Sequence, residues 1–227
     1  MISRLPKWVE AGAFLLALIA GCVNAVGLLG FKHQAVSHVS GTATLLGTQW
    51  VDSPLDSLHL LGVVVSFLVG AAISGLMLNS NSLKLGRHYD SLLLIEALLL
   101  VATLWSLNEG LLYGHYLASA ACGVQNALAT TYSGAVVRTT HMTGIVTDLG
   151  IMLGQSLKGR GFDRRKALLF SLLIAGFVLG GTAGGALFER YQFFALLLPI
   201  GFCLLLALVY RLYRLKRLRD VRRQKRG

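Results

Sequence analysis

Six apolar runs of roughly 20 residues each dominate this 227-residue chain. They occupy residues 11–30, 58–78, 91–107, 111–132, 167–188 and 193–210. A run of that length crosses the hydrocarbon core of a bilayer as an α-helix. Because 55% of the residues are hydrophobic and 14% are charged, against about a quarter charged in a typical globular domain, a soluble or disordered protein is excluded. The sequence predicts an all-α polytopic membrane protein with about six full transmembrane helices.

Two further stretches, residues 37–50 and 140–157, are shorter or more polar than a full span should be. Both are rich in Ser, Thr and Gly, and the second contains Asp148. We expect them to form short or re-entrant helices. Non-helical backbone at membrane depth is tolerated only where protein or water covers it.

The net charge of +11 is concentrated in a C-terminal tail. Nine of the 21 Lys and Arg residues lie between positions 211 and 226, directly after an apolar run. This arrangement is typical of a cytoplasmic flank that attracts anionic lipid. The tail lacks the aromatic interleaving and the motifs of nucleic-acid-binding proteins, so we expect the lipid bilayer as partner and no nucleic acid.

Three cysteines, Cys22, Cys122 and Cys203, all lie within apolar runs and have no CxxC spacing. They are interpreted as buried small residues, and no metal or cofactor is expected. The residues that end at Cys22 are similar to a lipoprotein signal peptide. Glu10 interrupts that apolar run, and the residues around Cys22 recur later in the chain, so we predict that this segment is part of the fold.

The sequence repeats itself in two halves. Three matches occur in the same order in each half: GCVNA (21–25) with GVQNA (123–127), HVSGTATLLG (38–47) with HMTGIVTDLG (141–150), and FxxGxxxxG (67–75) with FxxGxxxxG (177–185). Internal repeats in a multispanning protein are typical of transporters. We predict a single membrane domain over residues 1–227, with repeat 1 at about 9–107, repeat 2 at about 111–210 and the basic tail at 211–227.

The distribution of Lys and Arg predicts that the two short segments do not cross the membrane. With six crossings, 19 of the 21 basic residues fall on the cytoplasmic side, whereas eight crossings place only 16 there. The positive-inside rule therefore favours six. Three crossings in each half turn the second repeat upside down relative to the first. We predict inverted repeats in a bacterial inner membrane, with both termini cytoplasmic.

The polar faces of the two short segments are expected to line a path for a small solute. The predicted residues are Ser40, Gly41, Thr42 and Thr44 in the first segment, and His141, Thr143, Gly144 and Thr147 in the second. Their hydroxyl groups and freed backbone carbonyls can replace the water around a solute. The alternative is tight packing alone, because small polar stripes let membrane helices approach closely.

Three amides, Asn24, Gln125 and Asn126, lie deep within predicted spans. Amides are costly there unless they are paired. We predict that they bind a polar part of the solute. The alternative is that Asn24 and Asn126 pair with each other across the pseudo-twofold axis.

Glu96 and Asp148 are the predicted ion-coupling residues. Glu96 is central in its apolar run, and an acid at the centre of a span costs ~2.5–3.5 kcal/mol on insertion scales. Asp148 has no counterpart in the first half, where Leu45 occupies the matching position. For Glu96 the alternative is a neutral, hydrogen-bonded acid at a contact between helices. For His38 and His141 the alternative is a helix-end position near the headgroups.

The paired GxxNA and H-x-S/T-G elements resemble the YoaK-like family of bacterial inner-membrane proteins. Residues 123–127 and 139–144 fit the second half of the family pattern well. The first half departs from it, with Asn24 where the family usually has Asp and Thr42 where it has Asn. The resemblance covers nearly the whole chain and implies a multispanning fold. It implies no substrate, because the family has none established.

These observations predict a transporter or permease of a small solute. A first alternative is a membrane scaffold or partner-binding protein with a dry, tightly filled centre, and homo-oligomers are a further expected association. A second alternative is an intramembrane hydrolase that uses Ser40 with a histidine. The chain has no GxSG, HExxH or P-loop pattern to support the hydrolase.

Overall fold

The structure, a computed structural model, describes residues 7–30, 35–78, 88–133 and 137–224. Within these ranges the chain is helical, and the prediction of an all-α fold is confirmed. The elements are α1 (Lys7–Gly30), α2 (Val39–Gln49), α3 (Pro54–Met77), α4 (Tyr89–Asn108), α5 (Tyr113–Ser133), α6 (Met142–Leu157), α7 (Arg164–Tyr191), a 3₁₀ helix (Gln192–Leu196) and α8 (Leu197–Gln224).

Local sequence signals set several helix ends. The carboxylate of Asp163 accepts hydrogen bonds from the backbone N–H groups of Arg165 and Lys166 at 3.2 and 3.0 Å, which satisfies donors that a helix start leaves free. Pro54 lies in the first turn of α3, where its missing N–H has no bond to lose. Gly110 adopts a φ of 70° in the turn between α4 and α5, a conformation that favours glycine.

Four helical stretches are long and apolar enough to cross a membrane: Glu10–Gly30, Pro54–Met77, Tyr89–Asn108 and Arg164–Lys216. The last stretch contains two successive helices, α7 and α8. α7 ends at Tyr191, and the next residue, Gln192, has a φ of 52°. Leucines on these stretches are exposed, with Leu55 at 83% and Leu76 at 88%. Exposed apolar surface of this extent suits lipid rather than water. These features are those of a membrane-embedded protein.

The predicted span at 111–132 forms α5, which is not among those four apolar stretches. α5 carries polar residues along its length, and residues 121–125 are buried one after another. The helix packs against α1, α3 and α4. A helix that faces protein on most sides can carry polar groups that a lipid-facing helix cannot. Low apolar content in α5 therefore reflects its burial among other helices.

The two short segments form short helices, as the sequence predicts. α2 has 11 residues and α6 has 16, which correspond to about 16 and 24 Å of helix. Both are shorter than the roughly 30 Å hydrocarbon core. Before α2, the chain turns back along α1, since Val36 packs against Gly27 and Ser37 bonds to Asn24.

α1 packs along α7, and the two helices run in the same direction. Glu10 pairs with Arg165 near both helix starts, and Cys22 lies beside Gly184 further along both. α3 packs along α5, also in the same direction. In that pair, His59 contacts His115 near the helix starts, and Phe67 and Gly123 meet further along.

α1 and α5, by contrast, run in opposite directions. Gln125, late in α5, bonds to Leu16 in the first half of α1. Early α5 residues instead share a core cluster with late α1 residues such as Val26. α4 and α8 are also antiparallel, because Asp90 and Arg214, at the start of one and late in the other, form an ion pair.

Glycines bring the parallel helices into backbone contact. In six places a Cβ atom on a glycine would overlap a carbonyl oxygen of the facing helix. Two of these are Gly176 with Phe14 and Gly184 with Cys22, both between α1 and α7, and the other four approaches are closer still. The four closer approaches are Gly21 with Phe177 and Gly180 with Leu18 between α1 and α7, and Gly123 with Phe67 and Gly70 with Ala120 between α3 and α5. Small residues at the interface are the usual route to close packing of membrane helices.

Candidate functional site

Asn24 joins α1 to the segment that leads into α2. Its Oδ1 atom accepts a hydrogen bond from the hydroxyl of Ser37 at 2.8 Å and a second from the backbone N–H of Ser37 at 3.3 Å. Ser37 is buried, so this amide satisfies polar groups that the turn carries into the protein. Asn24 therefore holds the start of α2 against α1.

Asn126 occupies the matching place in the second half, 102 residues after Asn24. Thr139 lies two residues before His141, in the segment that leads into α6. Asn126 Oδ1 and Thr139 Oγ1 are buried, and neither finds a hydrogen-bond partner among the described residues. A buried polar atom without a partner is costly and calls for a water or a ligand. The alternative pairing of Asn24 with Asn126 is not seen, since Asn24 bonds to Ser37.

The starts of α2 and α6 resemble each other closely. The ring of His38 lies over Gly41, and the ring of His141 lies over Gly144. Each histidine carbonyl accepts a backbone hydrogen bond from four residues ahead, at 3.0 and 3.2 Å. The histidines lie at helix ends, as their alternative interpretation predicts, and both are exposed.

The hydroxyl faces of the short helices lie at the surface of the chain. Ser40, Thr44, Thr143 and Thr147 are exposed. Thr44 donates to the carbonyl of Ser40 at 3.0 Å, and Thr147 donates to that of Thr143 at 2.9 Å. Thr42 is the buried member of the set and donates to the carbonyl of His38 at 3.1 Å. Their role in binding solute stays a prediction.

Ser40 is also the residue on which the hydrolase alternative depends. Among the described residues, no histidine nitrogen forms a hydrogen bond with the Ser40 hydroxyl. A general base must lie within hydrogen-bond reach of its nucleophile. The hydrolase alternative therefore finds no supporting geometry in the described part of the chain.

Glu96 lies in the interior of the bundle, at the contact between α4 and α8. It is 2% exposed, and its carboxyl group forms a hydrogen bond with the thiol of Cys203. Its Oε2 atom has no partner within the described ranges, and no described cation pairs with it. A fully buried acid in such a place is expected to be neutral. This geometry matches the alternative interpretation of Glu96 and leaves ion coupling as a prediction.

Asp148 lies nearer to the end of the bundle than Glu96 does. Its carboxylate pairs with the ammonium group of Lys166 at 3.3 Å, and its side chain is 47% exposed. The end of the bundle that carries this pair also carries two other interhelical ion pairs, Glu10 with Arg165 and Asp90 with Arg214. We name it the basic end, because α8 leaves the bundle there and continues into the basic tail.

A cavity of about 460 Å³ lies between α1, α4, α5 and α8 near the basic end. Its walls are formed by aliphatic side chains and by four tyrosines, Tyr89, Tyr132, Tyr210 and Tyr213. The volume lies within the range of small-molecule sites. None of the thirteen predicted site residues, all of them described, lines this cavity. The side chains that line the cavity are mostly apolar, like most of the sequence, so the sequence analysis did not predict the cavity.

The same four helices are tightly packed at the opposite end. Leu104 and Leu107 of α4, with Phe188 and Phe193 from the end of α7 and the 3₁₀ helix, belong to one core cluster there. The rings of Phe188 and Phe193 meet edge to face, with centroids 5.5 Å apart. The bundle is therefore hollow near one end and filled near the other. We name the filled end the closed end.

Two histidines that the sequence analysis did not single out meet at the closed end. His59 on α3 and His115 on α5 are joined by a hydrogen bond of 2.9 Å between ring nitrogens. The other ring nitrogen of His59 bonds to the hydroxyl of Tyr116, also at 2.9 Å. A histidine near the start of each apolar run was the available signal, since ionisable residues within spans are rare.

Comparison with known proteins places the whole bundle in one family. The chain matches the family model described as "Protein of unknown function (DUF1275)" over residues 12–209. The chain belongs to this family. No curated protein and no solved structure matches it. The family description carries neither a substrate nor the YoaK name, so the resemblance to YoaK-like proteins stays a prediction.

Proposed function

We propose that the protein is a permease for a small amphipathic solute, and that the cavity receives the apolar part of this solute. The observation that carries the proposal is the contrast between the two ends of one four-helix group. α1, α4, α5 and α8 enclose about 460 Å³ near the basic end and are filled by Phe and Leu side chains at the other. A cavity near one end of a bundle whose other end is filled is an arrangement that alternating access can use.

The proposal includes two inverted repeats, α1–α4 and α5–α8. Its support is the match between contacts at positions that the sequence repeat relates. Gly21 and Gly123 are matched in sequence, and they meet Phe177 and Phe67, which are also matched. The matched helices α1 and α5 run in opposite directions, as an inverted repeat demands. The first helix of each repeat packs against the third helix of the other repeat.

Six crossings follow if α2 and α6 return to the side from which their segments enter. Their lengths, about 16 and 24 Å, support this. The proposal then puts the N-terminus, the ion pairs of the basic end and the basic tail in the cytoplasm of a bacterial inner membrane. In that place the tail contacts anionic lipid.

A non-transporting scaffold is the second candidate function. It predicts a dry, filled centre, and the exposed hydroxyl faces of α2 and α6 would then bind a partner or a second copy of the chain. The cavity and the unpartnered Asn126 and Thr139 atoms favour the permease. The exposure of Thr143 and Thr147 is the observation that favours the scaffold.

Filling the cavity tests the proposal. Gly12 lines it, and a Cβ atom there would meet nothing within 4 Å, so Gly12→Leu adds a side chain without a clash at its first atom. Gly201→Leu on α8 is the matched control, because its Cβ atom is equally unobstructed and it does not line the cavity.

The measurement is thermal unfolding of the purified protein across a panel of small amphipathic solutes, followed by uptake of the stabilising ones into proteoliposomes. A ligand that binds only the folded state raises stability. We expect Gly12→Leu to abolish both the stabilisation and the uptake, and Gly201→Leu to keep them. Solutes whose stabilisation and uptake are unchanged in Gly12→Leu would contradict a role for this cavity.

A further inference from the structure

A chain of three hydrogen-bonded side chains joins α3 to α5 at the closed end. Tyr116, His59 and His115 are linked through ring nitrogens and a phenol hydroxyl, with both distances at 2.9 Å. His115 is 7% exposed and His59 is partly buried. The imidazole rings of His59 and His115 are 4.9 Å apart at their centroids.

The bond between the two imidazoles depends on their protonation. His59 Nε2 and His115 Nδ1 can bond only if one carries a proton and the other offers its lone pair. The bond persists when both rings are neutral and when one ring carries an extra proton. When both rings are protonated, every ring nitrogen is a donor, so the bond is lost and two like charges stand side by side.

We propose that His59 and His115 form a proton-binding pair that holds α3 against α5 at the closed end. One extra proton is shared within the pair, and a second proton separates the two helix starts. The ligand is the proton, taken up from the side of the membrane that the closed end faces. If the proposed function holds, this separation opens the end that is filled in this structure, but the proton site itself does not depend on transport.

Four other titratable residues on the described parts of the neighbouring elements are exposed. They are Asp56 on α3, Asp52 in the turn between α2 and α3, Glu109 after α4, and Tyr113 on α5. Tyr116 is hydrogen-bonded to His59. α1 also packs on α5, and its described acid, Glu10, lies at the basic end. The acid within α4, Glu96, lies at the contact between α4 and α8. α2, packed on α3, brings His38 at its first turn.

The matching place in the other half of the chain has no histidine. By the offsets of the sequence repeat, Leu169 corresponds to His59 and Ala13 corresponds to His115. Leu169 and Ala13 are both buried and belong to one core cluster between α7 and α1. Equivalent helices can therefore be held by apolar packing alone. This asymmetry supports a role for the histidines other than structural support, and it supplies a variant with native-like packing.

Spin labels measure the separation directly. Leu55 at the start of α3 and Leu112 just before α5 are 83% and 58% exposed, so cysteines there accept labels without disturbing the core. The protein is reconstituted as the full chain in nanodiscs, and the distance distribution is recorded at pH 8 and pH 5, the interval in which histidine titrates. The expected result is a reversible shift to longer distances at pH 5.

Variants separate this pair from other titrating groups. His59→Leu combined with His115→Ala copies the other half of the chain and should leave the distance independent of pH. His38→Gln with His141→Gln removes two exposed histidines and should keep the shift. An unchanged distance in the parent protein, or a shift that survives in the His59→Leu, His115→Ala variant, would overturn the proposal.

A second measurement on the unsubstituted chain covers the case in which that double variant does not fold. Histidine labelled with ¹⁵N should give a through-hydrogen-bond coupling between two imidazole nitrogens at pH 8, and this coupling should vanish at pH 5. Absence of the coupling at pH 8, or its persistence at pH 5, would equally overturn the proposal.

Discussion

The side-chain amide of Gln125 donates a hydrogen bond to the backbone carbonyl oxygen of Leu16 at 3.0 Å. This bond joins α5 to α1, the two antiparallel helices that carry the GxxNA motifs. Gln125 is 1% exposed, and its Oε1 atom has no partner among the described residues. The donor thus holds the two halves together, while the acceptor remains available in the interior.

Replacing Gln125 by Met separates these two roles. Met has a similar volume but cannot donate, and the Leu16 carbonyl keeps its bond within α1. We expect a loss of about 0.5–1.5 kcal/mol in the free energy of unfolding, measured by denaturation in mixed micelles. If the Gln125 Oε1 atom binds solute, the Gln125→Met variant should lose most of its uptake while its free energy of unfolding changes by no more than this amount. Equal uptake by the variant and the parent protein would remove Gln125 from the solute path.

Enlarging Gly21 or Gly123 should damage the fold to a similar degree. A Leu at either position collides with a backbone carbonyl, of Phe177 or Phe67 respectively, and overpacking of this kind costs about 1–3 kcal/mol or more. Gly75→Leu on α3 is the control, since a Cβ atom there meets nothing within 4 Å. Thermal unfolding that gave the same midpoint for Gly21→Leu and Gly75→Leu would refute the close contact between α1 and α7.

Asn24 and Asn126 should respond differently to substitution by Leu, although the sequence repeat relates them. Asn24→Leu removes the acceptor for two Ser37 donors and should cost about 1–3 kcal/mol. Asn126→Leu removes an Oδ1 atom that no described residue bonds to, so it should cost less. Unfolding and uptake are measured on both variants. Loss of uptake in Asn126→Leu with little loss of stability is the pattern expected of a solute-binding amide.

Asp148→Asn should leave stability almost unchanged. The Asp148–Lys166 pair is about half exposed on the Asp side, and exposed ion pairs contribute up to about 1 kcal/mol. Uptake driven by an imposed pH gradient tests the predicted ion-coupling role separately. A variant that still accumulates solute in response to the gradient argues against coupling through Asp148.

The helices followed from the sequence because lipid imposes one simple rule on them. A lipid-facing helix must be long and apolar, so α1, α3, α4, α7 and α8 appear as apolar runs. α5 was also found as a run, but only its burial explains why it tolerates Gln125 and Asn126. α8 extends beyond its apolar run and continues through the basic tail to Gln224. Charged residues end an apolar run in the sequence, but they do not end the helix.

The interior was harder to predict than the helices. Sequence repeats directed attention to hydroxyl groups on α2 and α6, yet Thr44 and Thr147 bond to their own helices and face outward. The cavity depends on the contact between Tyr89 and Tyr210, which lie on helices far apart in the sequence. The sequence does not indicate which aromatic residues of its apolar runs will line a cavity. His59 and His115 lie 56 residues apart, and their contact depends on α3 packing beside α5.

Side-specific labelling of α3 and α5 is the most direct test of the inverted arrangement. Cysteines replace Leu55, Leu112 and, as the opposite-side control, Arg160. Intact cells that express each variant are treated with a membrane-impermeant maleimide; the native cysteines are buried. Six crossings predict that Leu55→Cys and Leu112→Cys are labelled from outside and that Arg160→Cys is labelled only after the cells are opened. Protection of Leu55→Cys and Leu112→Cys in intact cells, with labelling after opening, would mean that α2 and α6 cross the membrane and would contradict the account.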